Sequence, residues 1–218
     1  MEQIAGADNM RDSALHGGLG RAASLLLLTI VSLFAGGVQA NDTHPMRFDR
    51  LTLDDGLSQS NVLSVLQDSQ GLMWFGTENG LNSYNGYEFE HYKRERGNPN
   101  ALSNDFIFDI AEDSKGNLWI ATKGGGLAML DRATGHFTSF RHDPNNTNSI
   151  ASNIVRRVLV DADDIVWIGT RGAGLDRLDP ITQQFTHYPA LATGKPATIF
   201  ALYKDADVLW VGGDHGLS

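Results

Sequence analysis

The chain writes one short phrase four times: Trp74-Phe75-Gly76-Thr77, Trp119-Ile120-Ala121-Thr122, Trp167-Ile168-Gly169-Thr170 and Trp210-Val211-Gly212-Gly213. The tryptophans stand 45, 48 and 43 residues apart, and all four in the chain are used this way. A Gly-Leu pair follows each, at Gly80, Gly126, Gly174 and Gly216. A fixed period of roughly 40–50 residues signals one supersecondary unit per repeat, stacked because a single unit cannot bury its own apolar face.

Each unit reads as four short strands. Apolar runs at 62–66, 106–110 and 154–160 precede the first three tryptophans, and Asp/Gly turns follow them. Such turns suit tight hairpins, because Asp and Gly accept left-handed and Asx geometry. The Trp strand comes second and is rich in β-branched and aromatic residues. A glycine turn leads to a third strand at 81–84, 127–130 and 175–178, and a second turn to a fourth at 87–92, 136–140 and 184–188. Four strands per repeat, with glycine and aromatic residues in register, predict an all-β fold: a β-propeller of four-stranded blades. Trp74, Trp119, Trp167 and Trp210 each sit in an apolar run, so they are expected to pack between neighbouring blades.

The pattern Asp68-x-x-Gly71-x-x-Trp74-Phe75-Gly76-Thr77-x-x-Gly80-Leu81 resembles the two-component regulator propeller repeat. The second unit departs at Ala121 and by one extra residue before Gly126. The third has Asp164 for the turn glycine, and the fourth has Gly213 for threonine. Asp54-Asp55-Gly56-Leu57-Ser58 is similar to the family's usual opening. The resemblance implies the periplasmic sensory half of a membrane-spanning signalling protein. Its cytoplasmic output would be a histidine kinase, often hybrid, or a diguanylate cyclase.

Taken in order, residues 1–40 read as a leader. Arg21 precedes an apolar stretch from Ser24 that fades into Val38-Gln39-Ala40, a small-residue cleavage pattern. The stretch is about 15 residues, short of the ~20 that span hydrocarbon, so a cleaved signal is expected and an uncleaved anchor is the alternative. Met1 and Met10 are both possible starts. Residues 41–218 then form the propeller region, with blades at about 61–92, 106–140, 154–188 and 198–218. Phe48-Asp49-Arg50-Leu51 matches the fourth strand of a blade, so 48–53 is expected as an orphan strand that closes a ring. Three blades and part of a fourth leave that ring incomplete, which is expected of a truncated N-terminal piece. A four-bladed ring is the alternative.

Composition excludes several chemistries. The 218-residue chain has no cysteine, hence no disulfide, thiolate zinc site or cysteine nucleophile. Its formal charge of −9 argues against nucleic acid as a partner. No catalytic, metal or cofactor constellation stands out. His91 and His187 occupy one repeat position and read as structural. Asp161-Ala162-Asp163-Asp164 lacks the glycine and distant glutamate of a calcium loop. Binding is the better reading. The turns between second and third strands carry Glu78, Asn79, Lys123, Arg171 and Asp214, on the face where the blade connectors also open. That mixture suits a polar ligand, an oligosaccharide or a peptide. The expectation is a non-enzymatic, exported, ligand-sensing propeller that couples to a signalling module or self-associates. A secreted polysaccharide-active enzyme and a non-functional remnant are the alternatives.

Overall fold

The computed structural model describes residues 48–189 and 194–218; the leader expectation over 1–40 lies outside them. The chain divides into two units, Met1–Asp49 and Arg50–Ser218, and the second holds every described strand. Among the described residues there is no helix.

Three antiparallel sheets have four strands each, in simple up-and-down order. Blade one is β1 (Val62–Gln67), β2 (Met73–Thr77), β3 (Gly80–Tyr84) and β4 (Phe89–Tyr92). Blade two is β5 (Ile107–Glu112), β6 (Leu118–Thr122), β7 (Leu127–Leu130) and β8 (Phe137–Phe140). Blade three is β9 (Val155–Val160), β10 (Val166–Thr170), β11 (Leu175–Asp179) and β12 (Gln184–Tyr188). The fourth sheet has three strands: β13 (Ile199–Asp205), β14 (Val208–Gly213) and β15 (Gly216–Leu217). Residues 48–53 belong to no strand, contrary to the closing-strand expectation. β15 is two residues long and has no described partner on its far side. Thr52 instead begins a turn, its N–H and hydroxyl both donating to Asp55.

The repeated tryptophan explains how blades stack. Trp74 is fully buried in a cluster with Ile107, Leu118, Ile120 and Phe137, all from blade two. Trp119 is buried with Val155, Val158, Val166 and Ile168 of blade three. Trp167 is half-buried against a cluster holding Ile199 and Val211 of the fourth sheet. The first three tryptophans are thus each packed against the sheet that follows. Trp210 is 45% exposed, and Phe200 and Tyr203 on the same sheet are exposed too, so the packing expectation holds for three of the four.

The rest of the motif serves this stacking. Asp68 accepts the Trp74 indole N–H through Oδ2 at 2.8 Å, and its Oδ1 accepts the Gln70 and Leu72 N–H groups. Asp113 and Trp119 repeat the arrangement at 3.1 Å, and Asp161 and Trp167 at 2.9 Å. One carboxylate therefore shapes the hairpin turn and satisfies a buried indole donor, whose desolvation would otherwise be costly. Next in the motif, the buried hydroxyls of Thr77, Thr122 and Thr170 donate to the carbonyls of Gly80, Gly126 and Gly174. A Cβ on Gly76 would strike Ile107, and one on Gly169 would strike Ile199, the first residue of each following blade. Blade two has Ala121 at this position, and there the facing strand opens with the smaller Val155. The departure in the motif is matched by a change in its neighbour, as dense packing demands.

Candidate functional site

The turn between the second and third strands is tied down from two sides. In the first sheet Gly80 N–H donates to the carbonyl of Asp105, at the entry to blade two. Gly124 and Gly126 N–H both donate to Asn153, at the entry to blade three, and Gly174 N–H to Ala197, at the entry to the fourth sheet. Lys123, Arg171 and Asp214 meanwhile donate their N–H groups to Phe106, Ile154 and Thr198 of their own sheets. These bonds fix the turns beside the ends of the connectors, so the turns and the connector ends share one face.

The five candidate binding residues sit on that face, one turn per blade, and most already have partners. The Glu78 carboxylate accepts the Asn61 amide at 2.7 Å. The Asn79 amide donates to the Ser58 carbonyl. The Lys123 ammonium lies 4.4 Å from the centre of the Phe106 ring, a cation–π contact. The Asp214 carboxylate accepts the Thr198 N–H and lies 3.8 Å from His215. The Arg171 guanidinium alone of the five side chains has no partner among the described residues. No two of the five are bonded to one another, so they do not form a single cluster.

The connectors are better shaped to hold a ligand. The first, 93–105, folds over the outer strand of blade two, where the Phe137 N–H donates to the Asn100 carbonyl. The second, 141–153, does the same over blade three. There Phe185 N–H donates to the Asn148 amide oxygen and the Asn148 amide to the Gln183 carbonyl. Leu102 and Ile150 plug the two loops into the core. Under each loop lies a pair of residues facing one another across the third and fourth strands. In blade one it is Asn82 and His91, in blade two Ala128 and Ser139, in blade three Asp176 and His187.

In blade one the Asn82 amide oxygen accepts the Ser58 N–H, and His91 bonds the Gly56 carbonyl. In blade three Asp176 Oδ2 accepts the Ala151 N–H at 2.7 Å, while His187 bridges from Asp176 Oδ1, at 2.7 Å, to the Thr147 carbonyl. Burial pushes the Asp176 carboxyl up. Burial pulls His187 down, but the Asp176 carboxylate and the Thr147 carbonyl outweigh it, leaving the imidazolium favoured beyond its ordinary range. In both blades the shared histidine position ties the sheet to a carbonyl of the preceding segment, Gly56 or Thr147.

Blade two has neither group. A cavity of about 570 Å³ opens there, lined by Arg94, Arg96, Ser103, Ser139 and Arg141 among others. A smaller cavity of about 260 Å³ adjoins the same loop. Among the described residues no group of three His, Asp or Glu could hold a metal ion.

Comparison with known proteins agrees with this geometry. Two stretches, 56–79 and 101–124, match the two-component regulator propeller family. A histidine kinase, P4, from Formosa agariphila is 39% identical over 56 residues, which is 26% of this chain and 4% of the kinase. The extracellular domain of the hybrid two-component system BT3049 from B. thetaiotaomicron superposes with a TM-score of 0.68 at 27% identity, over 78% of this chain and 26% of that one. Virginiamycin B lyase from Staphylococcus aureus shares the fold alone, with a TM-score of 0.51 at 16% identity over 72% of this chain and 54% of the lyase. This chain thus spans about a quarter of the two-component domain and a small fraction of the kinase. It carries two-component regulator propeller repeats, folded as successive four-stranded β-propeller blades.

Proposed function

We propose that this chain is an exported, non-catalytic, ligand-sensing propeller region, whose occupancy is relayed to a histidine kinase. The likeness to the extracellular domain of a hybrid two-component system carries the reading, because it spans most of this chain. The local geometry supports it. The repeat's acidic and hydroxyl groups are engaged in holding turns and indoles, as Asp68, Asp113 and Asp161 are, which leaves them no catalytic freedom. The polar surface at the connectors and at Glu78, Asn79, Lys123, Arg171 and Asp214 is where an oligosaccharide or peptide would dock. A diguanylate cyclase output remains the alternative to a kinase. The lyase likeness is one of fold and transfers no activity.

Thermal-shift titration of the whole chain against oligosaccharides and short peptides tests the binding claim. A saturable rise in Tm without consumption of the ligand is expected. Turnover detected by mass spectrometry would instead make the chain an enzyme. Export is tested on the cell fraction: the periplasmic protein should begin at Asn41, and an intact leader in the membrane would show an anchor instead.

A further inference from the structure

Blade two lacks a polar pair that both its neighbours have, and the vacated ground is cationic. Asn82 with His91, and Asp176 with His187, tie each connector down onto its blade. Ala128 and Ser139 stand in their places in blade two. The consequences are visible at Ser103, the counterpart of Ser58 and Ala151. Its N–H, which those residues donate to Asn82 and Asp176, has no acceptor among the described residues. Its hydroxyl is buried and also without a partner. Such orphaned groups cost stability unless something else meets them.

The cavity of about 570 Å³ lies at this place, between the connector and Ser139. Three arginines line it, Arg94, Arg96 and Arg141, against one acidic residue, Glu95. Glu95 is engaged by the Asn98 amide. Arg141 donates to the Gly124 carbonyl at 3.3 Å, while the guanidinium groups of Arg94 and Arg96 have no partner among the described residues. In a chain of net charge −9, two free arginines beside an open cavity are a local reversal of sign.

We propose that this cavity is a binding site for a uronate, a saccharide whose carboxylate meets Arg94 and Arg96 and supplies the acceptor that the Ser103 N–H lacks. The arginine fork matches a carboxylate in two parallel hydrogen bonds, which a neutral hydroxyl cannot reproduce. The exposed Ser139 hydroxyl is suited to a ring hydroxyl group, and the volume is within the range that holds a small ligand. The assignment rests on the reading of the chain as a ligand-binding propeller and adds the class of ligand and its place.

Isothermal titration of the whole chain with trigalacturonate, maltotriose and a triglutamate peptide tests it. Saturable binding of trigalacturonate alone is expected. Arg94→Gln and Arg96→Gln should each weaken it about tenfold or more without lowering Tm, since both side chains are exposed. The double substitution Ala128→Asp with Ser139→His copies the blade-three pair into blade two and should abolish binding, because the new imidazole fills the cavity at Ser139. If that variant does not fold, the two arginine variants still decide. Unchanged trigalacturonate binding in both, or equal binding of triglutamate, overturns the assignment. Binding of maltotriose without trigalacturonate also overturns it, yet leaves the wider ligand-sensing reading standing.

Discussion

Blade one and the fourth sheet carry the same phrase and use it differently. In blade one the Trp74 ring is closed off by blade two, its N–H is held by Asp68, and Arg132 of blade two lies over the ring at 4.9 Å while pairing with Asp68 at 3.2 Å. In the fourth sheet Trp210 is 45% exposed and its indole N–H has no partner among the described residues. The hairpin differs too. Asp205 pairs with Val208 around a two-residue turn, so no carboxylate stands six residues before the tryptophan to receive the indole. The glycine after it tells the same story. A Cβ on Gly80 would collide with the Tyr92 carbonyl of the fourth strand, whereas Gly216 has open space. The phrase is therefore not self-sufficient: its stabilising value comes from the turn aspartate, from the fourth strand of its own blade and from the next blade.

The largest expected loss is at the buried tryptophans. Trp119→Ala should cost about 3–5 kcal/mol in denaturant unfolding, because it opens a cavity between blades two and three. Asp68→Ala should follow at about 2–3 kcal/mol, since it strands a buried indole donor and two turn N–H groups. Asp205→Ala, with no indole to hold, should be close to neutral by the same assay.

A pH scan sharpens the contrast between blades three and two. The folded-state pKa of His187 is raised, so its contribution is fully present below the ordinary histidine value of about 6.5 and is lost as pH rises through the folded value. Stability should fall across that window, and His187→Gln should remove the slope. Persistence of the slope in the variant would assign it to another group. Trp210→Ala should also cost little, under about 1 kcal/mol, provided light scattering reports a monomer. A larger loss would mean that the exposed face is covered in solution.

The blade framework was legible in sequence because its signals are local. The Asp/Gly turns, the alternating aromatics and the Trp period set strand after strand close to where the structure has it. What escaped were the particular partners of polar side chains. The motif aspartate reads as a turn former, and nothing local says that its second oxygen holds the indole. Ser69 and Ser114 look like ordinary turn residues, yet they donate to Glu112 and Asp164 of the blade that follows. Those bonds hold the Asp164 carboxyl below its usual range. Its φ of 61° also accounts for the missing turn glycine, for aspartate tolerates that region better than most residues. The loop residues Glu78, Asn79, Lys123 and Asp214 were identified by type and position, but their intramolecular partners could not be read from spacing. The blade-two cavity was readable in principle by aligning Asn82, Ala128 and Asp176. It carries no motif of its own, being a departure from one.

The central claim is that a tryptophan is protected to the extent that a following blade packs on it. Hydrogen exchange at the four indole N–H groups, followed by nitrogen-15 NMR on the unmodified monomeric chain, tests this directly. Trp74 and Trp119 should exchange slowest, Trp167 at an intermediate rate, and Trp210 fastest. Equal protection of Trp210 and Trp74, or rapid exchange at Trp74 and Trp119, would contradict it.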